Sequence, residues 1–267
     1  MQYRQLGRSG LRVSALTLGT MTFGGAGAFA KVGATDVEGA GRLVEHCRDA
    51  GVNMLDTANI YSNGLSEEII GQVMHGRWGD MLVATKARMR TGADPNSGGS
   101  SRQHLVGEVE KSLKRLRRDH IDLFYLHEWD GETPLEETMS ALDDLVRAGK
   151  IRYIGASNFS AWHLMKAQWT ADRMRTVPFV SQQIHYSLQS REAEYELVPV
   201  ALDQGLGILV WSPLTGGLLT GKYRRDVKGP EGSRHLNEWN EPPNGNSSCR
   251  RNCGSWSCVK AANSPSC

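Results

Sequence analysis

The feature that most constrains the fold is a series of short apolar runs that alternate with segments of helical periodicity. After a first run at 15–20, the apolar runs are 53–57, 81–86, 121–127, 151–157, 179–184 and 207–211. Between two of them, Val109, Leu113 and Leu116 share one helical face, and elsewhere Pro134 precedes two acidic residues, as at a helix start. This alternation predicts a parallel sheet, because parallel strands need crossover connections and these are usually helices.

Two architectures compete for such a sheet. A doubly wound fold that binds a dinucleotide would place Gly-x-Gly-x-x-Gly directly after an early strand, and the glycines at 24–27 have the wrong spacing. A closed α/β barrel gathers the C-terminal ends of its strands at one face, where Asp56, Lys86 and His127 are expected. We favour the barrel, preceded by a small β-hairpin in residues 1–14. Seven of its strands are recognisable and the eighth is missing from the pattern.

Four titratable side chains are predicted to meet at the ends of these strands. Asp56 ends an apolar strand and Tyr61 follows five residues later, while Lys86 and His127 end two further runs. A tyrosine has a pKa of about 10, and a lysine cation nearby eases its proton donation. A carboxylate can orient that lysine, and a histidine can hydrogen-bond a substrate oxygen or share in proton transfer. The set suits protonation of a carbonyl oxygen whose carbon receives a hydride.

Structural roles and other chemistries are the alternatives. Taken alone, Asp56 is also a turn former and Tyr61 a core or rim aromatic. Lys86 is also a solvated charge and His127 a structural histidine. No metal site is predicted, because no His-x-x-His or Glu-x-x-His spacing occurs and Cys47 lacks a neighbouring cysteine. A serine nucleophile is disfavoured by the absence of Gly-x-Ser-x-Gly.

Composition gives no support for a charged macromolecule or a membrane as partner. The 267 residues include 31 basic and 29 acidic side chains, and a formal net charge of +2 gives no reason to expect nucleic acid or an anionic membrane as partner. The N-terminal sequence has no apolar stretch of signal-peptide length, and no segment has the length of a membrane span. We therefore expect a cytoplasmic protein, whose oligomeric state the sequence leaves open.

Many short motifs follow one another through residues 5–243. They are residues 19–24, 55–62, 66–67, 84–86, 113–116, 119–127, 142–150, 155–158, 186–188 and 211–214. In these motifs the chain resembles the aldo-keto reductase superfamily, and closely its bacterial NADPH-dependent oxidoreductase branch. The resemblance implies a TIM barrel of eight strands and eight helices that reduces a small aldehyde or ketone to an alcohol with NADPH, without a metal.

The resemblance also implies roles for individual residues. Asp56, Tyr61, Lys86 and His127 match the catalytic tetrad, with Tyr61 as general acid. The implied cofactor contacts are Ser157, Asn158 and Gln183 at the nicotinamide carboxamide, Tyr186 as its stacking ring, and Gly19, Thr20, Trp211, Ser212, Pro213, Leu214, Gly217, Lys222 and Arg234 at backbone or phosphate positions. For the last two basic residues a plain surface charge is the alternative. Phe23 and Trp129 are expected to line the substrate pocket, with packing as the alternative.

The last segment departs from the family pattern. Residues 244–267 have no acidic side chain and no apolar period, and they hold the clustered cysteines Cys249, Cys253, Cys258 and Cys267. Their spacing matches no common metal site, and a reducing cytoplasm opposes disulfides. We interpret residues 1–243 as an incomplete barrel and 244–267 as a disordered tail that arises from a shifted reading frame or a fusion. Two alternatives to an active enzyme follow: an NADPH-binding regulatory subunit, as the β subunits of voltage-gated potassium channels resemble this superfamily, or an inactive truncated reductase.

Overall fold

The computed structural model describes residues 1–224 and 229–230. The chain divides into two units, Met1–Pro213 and Leu214–Cys267. The strands and α-helices of the described residues are β1 Tyr3–Gln5, β2 Arg12–Ser14, β3 Leu18–Gly19, α1 Val37–Asp49, β4 Met54–Asp56, α2 Leu65–Val73, β5 Leu82–Ala87, α3 Arg102–Leu116, β6 Ile121–Leu126, α4 Leu135–Arg147, β7 Ile151–Ser157, α5 Ala161–Met174, β8 Ser181–His185, α6 Leu197–Gln204 and β9 Gly207–Trp211. In the second unit, Thr215–Thr220 forms a 3-10 helix. The predicted tail at 244–267 lies outside the described residues.

The helices begin and end at the residues that local chemistry favours. The side chain of Asp36 accepts a hydrogen bond from the Gly39 amide and caps α1, and Ser101 caps α3 in the same way. Pro134 is the residue before α4, as the sequence predicts. After this helix Gly149 has a φ of 74°, a left-handed conformation that glycine adopts without strain. The helix boundaries therefore follow from single residues at their ends.

Seven strands form one parallel sheet in the order in which they occur in the chain, from β3 to β9. Consecutive strands are neighbours throughout, which is the order of a barrel, whereas a doubly wound sheet reverses direction at a switch point. The sheet curls into an incomplete barrel with seven strands in the described part of the chain. The β1 and β2 strands pair antiparallel in a separate hairpin. The predicted barrel type and the N-terminal hairpin are confirmed.

The two faces of the sheet have separate hydrophobic cores. Side chains alternate between faces along a strand, so residues two apart share a face. Met54, Ala84, Leu123 and Tyr125 lie inside the curl and pack with side chains of the hairpin. Their intervening neighbours pack outward against the helices. This alternation fixes the direction of the strand-end residues, because Lys86 follows Ala84 by two positions and so points inward.

The first apolar run forms less strand than its sequence predicts. Only Leu18 and Gly19 pair with β4. The side chain of Ser14 donates to the carbonyl of Leu16, which turns the chain there, and Leu16 is 65% exposed. Hydrophobicity alone does not show that a residue is buried. None of the described helices has the length and apolar character required to cross a membrane.

Candidate active site

Lys86 is at the centre of the candidate site. Its side chain is fully buried, and its Nζ donates to Asp56 Oδ2 at 2.7 Å and to the carbonyl oxygen of Thr57 at 2.7 Å. Asp56 ends β4, and its second carboxylate oxygen accepts from Nε2 of Gln183 at 2.9 Å. A buried ammonium is tolerated only with such partners, because burial removes its hydration. The ion pair is therefore fixed from three strands.

Tyr61 contacts the same ammonium group. It begins the 3-10 helix Tyr61–Gly64, and its Oη accepts a hydrogen bond from Lys86 Nζ at 3.4 Å. The Nζ also lies 5.0 Å from the centroid of the phenol ring. The next two residues, Ser62 and Asn63, have left-handed φ values of 51° and 57°, which turn the chain sharply. After this turn the chain enters α2.

The protonation states follow from burial and from these contacts. Burial raises the pKa of Tyr61 above its ordinary value, and the Lys86 cation opposes this only in part. The phenol therefore keeps its proton at neutral pH. Burial acts to lower the pKa of Lys86, but the Asp56 carboxylate and Tyr61 outweigh it and raise that pKa. In the absence of substrate, the Lys86 ammonium therefore contacts the neutral phenol of Tyr61 and the carboxylate of Asp56.

His127 completes the group of four. It follows β6 directly, its amide donates to the carbonyl of Ala87 at 3.0 Å, and its ring meets that of Tyr61 edge-on with centroids 6.0 Å apart. Burial, and then the cations of Lys86 and Arg88, lower the pKa of His127 to about 3. The imidazole is therefore neutral at pH 7. Its Nδ1 is buried and has no hydrogen-bond partner among the described residues.

The residues predicted for the nicotinamide carboxamide lie beside this group, at and just after the end of β7 and within β8. Asn158 has a left-handed φ of 55°, donates through Nδ2 to the carbonyl of His127 at 3.1 Å and accepts from Nε1 of Trp211 at 3.1 Å. Ser157 ends β7, and its Oγ is buried without a hydrogen-bond partner in the described chain. Gln183 is held by Asp56, as described above. Backbone and side-chain contacts thus bring all three predicted residues to the edge where Asp56 and His127 lie.

Two predicted aromatic contacts have protein partners of their own. Tyr186 donates from Oη to the Glu194 carboxylate at 2.5 Å, and Arg191 donates two hydrogen bonds to the same carboxylate. Trp211 stacks on the ring of His185 with centroids 4.4 Å apart. Both rings are therefore fixed in place.

The remaining predicted cofactor residues of the first unit lie at strand ends. Gly19 ends β3, and a Cβ added there would meet open space. Thr20 is fully buried, and its hydroxyl donates to the carbonyl of Asp56 at 2.9 Å. Ser212 has a left-handed φ of 53°, and Pro213 is exposed. Thr20 therefore has a structural contact to the backbone of the site.

Three predicted cofactor residues lie in the described part of the second unit. Leu214 is 53% exposed and precedes the 3-10 helix, in which Gly217 has a φ of 96°. The Nζ of Lys222 lies 5.2 Å from the ring centroid of Tyr223. The further predicted contact, Arg234, lies outside the described residues.

The residues predicted for the substrate pocket are both packed. Phe23 is 1% exposed and belongs to the hydrophobic core. Trp129 stacks on His163 with centroids 4.1 Å apart, as part of an aromatic cluster. Besides His127, the ring that meets Tyr61 is that of Phe29, edge-on with centroids 5.4 Å apart. Phe29 was missed because its glycine-rich surroundings give no periodic pattern to place it.

A cleft of about 330 Å³ adjoins the same edge of the sheet. Asn158 and His185 line it at the strand ends, and Ser190, Glu192 and Glu196 line it from the following segment. Concave spaces beside polar strand ends are the usual location of small-molecule sites. No group of three or more metal-ligating side chains occurs in the described part of the chain.

Buried carboxylates behind the site were also missed. Glu67 of α2 accepts from the hydroxyl of Thr85, the residue before Lys86, at 2.5 Å, and from Arg115 at 2.7 Å. Glu108 of α3 accepts from Nδ2 of Asn59 at 2.7 Å. Each glutamate interrupts the buried face of its helix, and this is the one signal that the sequence offered.

The chain as a whole is similar to a known protein family and to several named proteins. The profile of the Aldo/keto reductase family matches residues 15–262. YrpG of Bacillus subtilis, named as an uncharacterized oxidoreductase, is 44% identical over 240 residues, which cover 86% of this chain and 71% of that protein. A probable voltage-gated potassium channel subunit beta of Oryza sativa is 43% identical over 230 residues, which cover 84% of this chain and 67% of that protein. The versiconal hemiacetal acetate reductase of Aspergillus parasiticus is 36% identical over 239 residues (82% and 69%).

Proposed function

Since this chain belongs to the aldo/keto reductase family, we propose that it reduces an aldehyde or a ketone to an alcohol with NADPH and that Tyr61 is the general acid. The observation that carries the proposal is the buried Lys86 ammonium, which contacts both the Asp56 carboxylate and the Tyr61 phenol. A structural ion pair needs no phenol at that position. Similarity to a named oxidoreductase and a named reductase supports the same class of reaction.

The proposed chemistry divides between two side chains at the substrate oxygen. Tyr61 Oη and an N–H of the neutral His127 ring donate hydrogen bonds to the carbonyl oxygen and polarise it. As the carbonyl carbon gains a hydride, the π electron pair moves to oxygen and takes the proton of Tyr61. The phenolate that remains is stabilised by the Lys86 cation, and it regains a proton from solvent. His127 is not the proton donor, because it carries no second proton near pH 7.

The residues present fit the cofactor. The buried Oγ of Ser157 lacks a partner in the described chain, and a buried hydroxyl normally has one. A carboxamide group would supply it. We propose that Ser157, Asn158 and Gln183 hold this end of NADPH. NADPH, when bound, supplies the hydride that the carbonyl carbon receives.

The proposal is tested by turnover and by binding. Steady-state oxidation of NADPH is followed with a panel of aromatic aldehydes, and NADPH binding is followed by quenching of tryptophan fluorescence. The proposal requires saturable quenching and formation of the corresponding alcohol. A flat titration together with no alcohol from any aldehyde would contradict it.

A second candidate function is an NADPH-binding regulatory subunit. The 43% identity to the rice potassium channel subunit beta favours it. The presence of Asp56, Tyr61, Lys86 and His127 in one contact network favours the enzyme. Binding of NADPH without turnover of any aldehyde in the panel is the result that would favour the regulatory subunit.

A further inference from the structure

A buried carboxylate on α3 lies directly behind the segment that carries the general acid. Glu108 is 2% exposed. One of its oxygens accepts from Nδ2 of Asn59 at 2.7 Å, and the other accepts from Nζ of Lys111 at 2.9 Å and from the hydroxyl of Thr91 at 3.2 Å. Burial acts to raise the pKa of Glu108, but the bonds from Lys111 and Asn59 outweigh it, so the pKa is lowered. The carboxylate is thus ionised and bonded on both oxygens.

Asn59 connects this carboxylate to the candidate site. It is 3% exposed and lies between Asp56 and Tyr61 in the chain. Its amide donates to the carbonyl of Lys86 at 3.0 Å, while its side chain donates to Glu108. One residue therefore links the backbone of the buried lysine to α3 within two positions of the phenol. This link is independent of the ion pair between the lysine and Asp56.

The chain after the phenol is held in a similar way. Ser62 and Asn63 adopt left-handed conformations, which persist in non-glycine residues only where the surroundings enforce them. The hydroxyl of Ser62 donates to the carbonyl of Phe23 at 3.0 Å and accepts from the amide of Gly25 at 2.9 Å. Tyr61 is consequently clamped between two anchors, and only the Glu108 anchor carries a charge.

We propose that Glu108 is a positioning residue for Tyr61 and acts through Asn59 to hold the phenol within reach of the Lys86 ammonium. The inference rests on the proposed function, because positioning matters only if Tyr61 donates a proton. Loss of the carboxylate leaves the side-chain amide of Asn59 buried without its acceptor, which is energetically costly. We expect the segment that carries Tyr61 to move so that this amide finds another partner. A misplacement of about 1 Å at a reacting group lowers a rate by about 10²-fold.

The experiment compares Glu108→Ala, Glu108→Gln, Asn59→Ala and the double alanine variant in kcat and KM for NADPH and an aldehyde. We expect Glu108→Ala to lower kcat by about 10-fold or more while the KM for NADPH changes little. Glu108→Gln keeps an acceptor for Asn59 and should restore most of kcat. The double variant should lose little more than either single variant, because both act through one contact.

Asp122→Asn is the matched control, since Asp122 is also a buried carboxylate on a cation but lies at the other end of the sheet. It should lower the melting temperature without lowering kcat. Unchanged kcat in folded Glu108→Ala and Asn59→Ala would overturn the inference, as would fully additive losses. If Glu108→Ala does not fold, Asn59→Ala alone tests the inference, and an unchanged kcat in that folded variant would overturn it.

A readout without turnover separates this inference from the proposed function. Hydrogen exchange of the amides at 58–64 should be faster in Asn59→Ala and Glu108→Ala than in the wild type, with the rest of the sheet unchanged. If the wild-type protein reduces no aldehyde, the proposed function fails, and faster exchange confined to 58–64 still supports the clamp. Unchanged exchange there would contradict it.

Discussion

Two buried ion pairs lie at opposite ends of the same sheet and differ in what surrounds the cation. At the C-terminal end, Lys86 contacts Asp56 at 2.7 Å and also donates to a phenol. At the N-terminal end, Arg118 contacts Asp122 at 2.9 Å, donates to the carbonyl of Met81 and lies over an indole ring. The Asp122 carboxylate also accepts a hydrogen bond from the backbone amide of Val83 in β5. Both pairs are buried, but the cation of the first contacts a phenol, whereas a guanidinium nitrogen of Arg118 lies 2.7 Å from Nε2 of the His120 ring.

The difference shows what distinguishes the ion pair that we propose as reactive from a structural one. Burial and pairing are common to both, and a buried pair alone contributes little net stability over an apolar replacement. The two pairs differ in the other groups that the cation contacts. Arg118 contacts a carbonyl, an indole and an imidazole, none of which becomes an anion, whereas Tyr61 can release a proton and leave an anion that Lys86 stabilises.

The largest effects are expected when each cation is removed. Lys86→Met and Arg118→Met both leave a carboxylate buried without its partner, which should cost about 3–5 kcal/mol of unfolding free energy in each case. Lys86→Met should in addition lower kcat/KM by about 10²–10⁴-fold, because the phenolate loses its cation. Arg118→Met should leave the activity per folded molecule near the wild-type value. Urea unfolding and NADPH oxidation measure the two quantities, and equal loss of activity in both variants would contradict the distinction.

A second effect, smaller for each pH unit, concerns the protonation of His127. Because the folded-state pKa of His127 is about 3 and an unfolded histidine has a pKa of about 6.5, the folded protein resists protonation of this ring. The stability from His127 is therefore full above pH 6.5 and is lost as the pH falls toward 3, by at most about 1.4 kcal/mol per pH unit. Urea unfolding at several pH values should give a shallower pH dependence for His127→Gln than for the wild type. Equal slopes would contradict the assignment, as would an NMR titration of His127 near pH 6.5.

The smallest effect is expected at an exposed ion pair, which extends the comparison to the surface. Glu38 and Arg42 pair one helical turn apart on α1, and their side chains are 81% and 70% exposed. Solvent screening makes such pairs nearly neutral, so Arg42→Ala should change the unfolding free energy by no more than about 0.5 kcal/mol. A loss as large as that of Arg118→Met would show that burial is not the deciding variable.

The parallel sheet and its inward polar ends could be predicted from the sequence because both depend on local periodicity. Alternation along β5 places Lys86 inward whatever the loops do, and chain order then places it beside Asp56. The bond from Gln183 to Asp56 joins residues 127 positions apart. No local pattern specifies such a contact, although the family resemblance brought Gln183 to attention for another reason.

The parts that could not be predicted lie on loops and on helix faces. Phe23 and Phe29 occur in the same glycine-rich segment, and sequence could not tell which one packs in the core and which one meets Tyr61. Loops lack the periodicity that assigns a face. Glu108 was overlooked because a single charge on a helix is usually solvated. Its role depends on Asn59, a residue that arrives from a different element.

The central claim is that this site transfers a hydride to a carbonyl carbon with the proton supplied by Tyr61. The most direct measurement incubates wild-type protein and Tyr61→Phe with NADPH deuterated at the transferable position and an aromatic aldehyde, and follows deuterium at the alcohol carbon by NMR. The account predicts deuterated alcohol from the wild type and a rate lower by about 10²–10⁴-fold in Tyr61→Phe, which still binds NADPH. Absence of deuterated alcohol from the wild type, or equal rates in the two proteins, would contradict it.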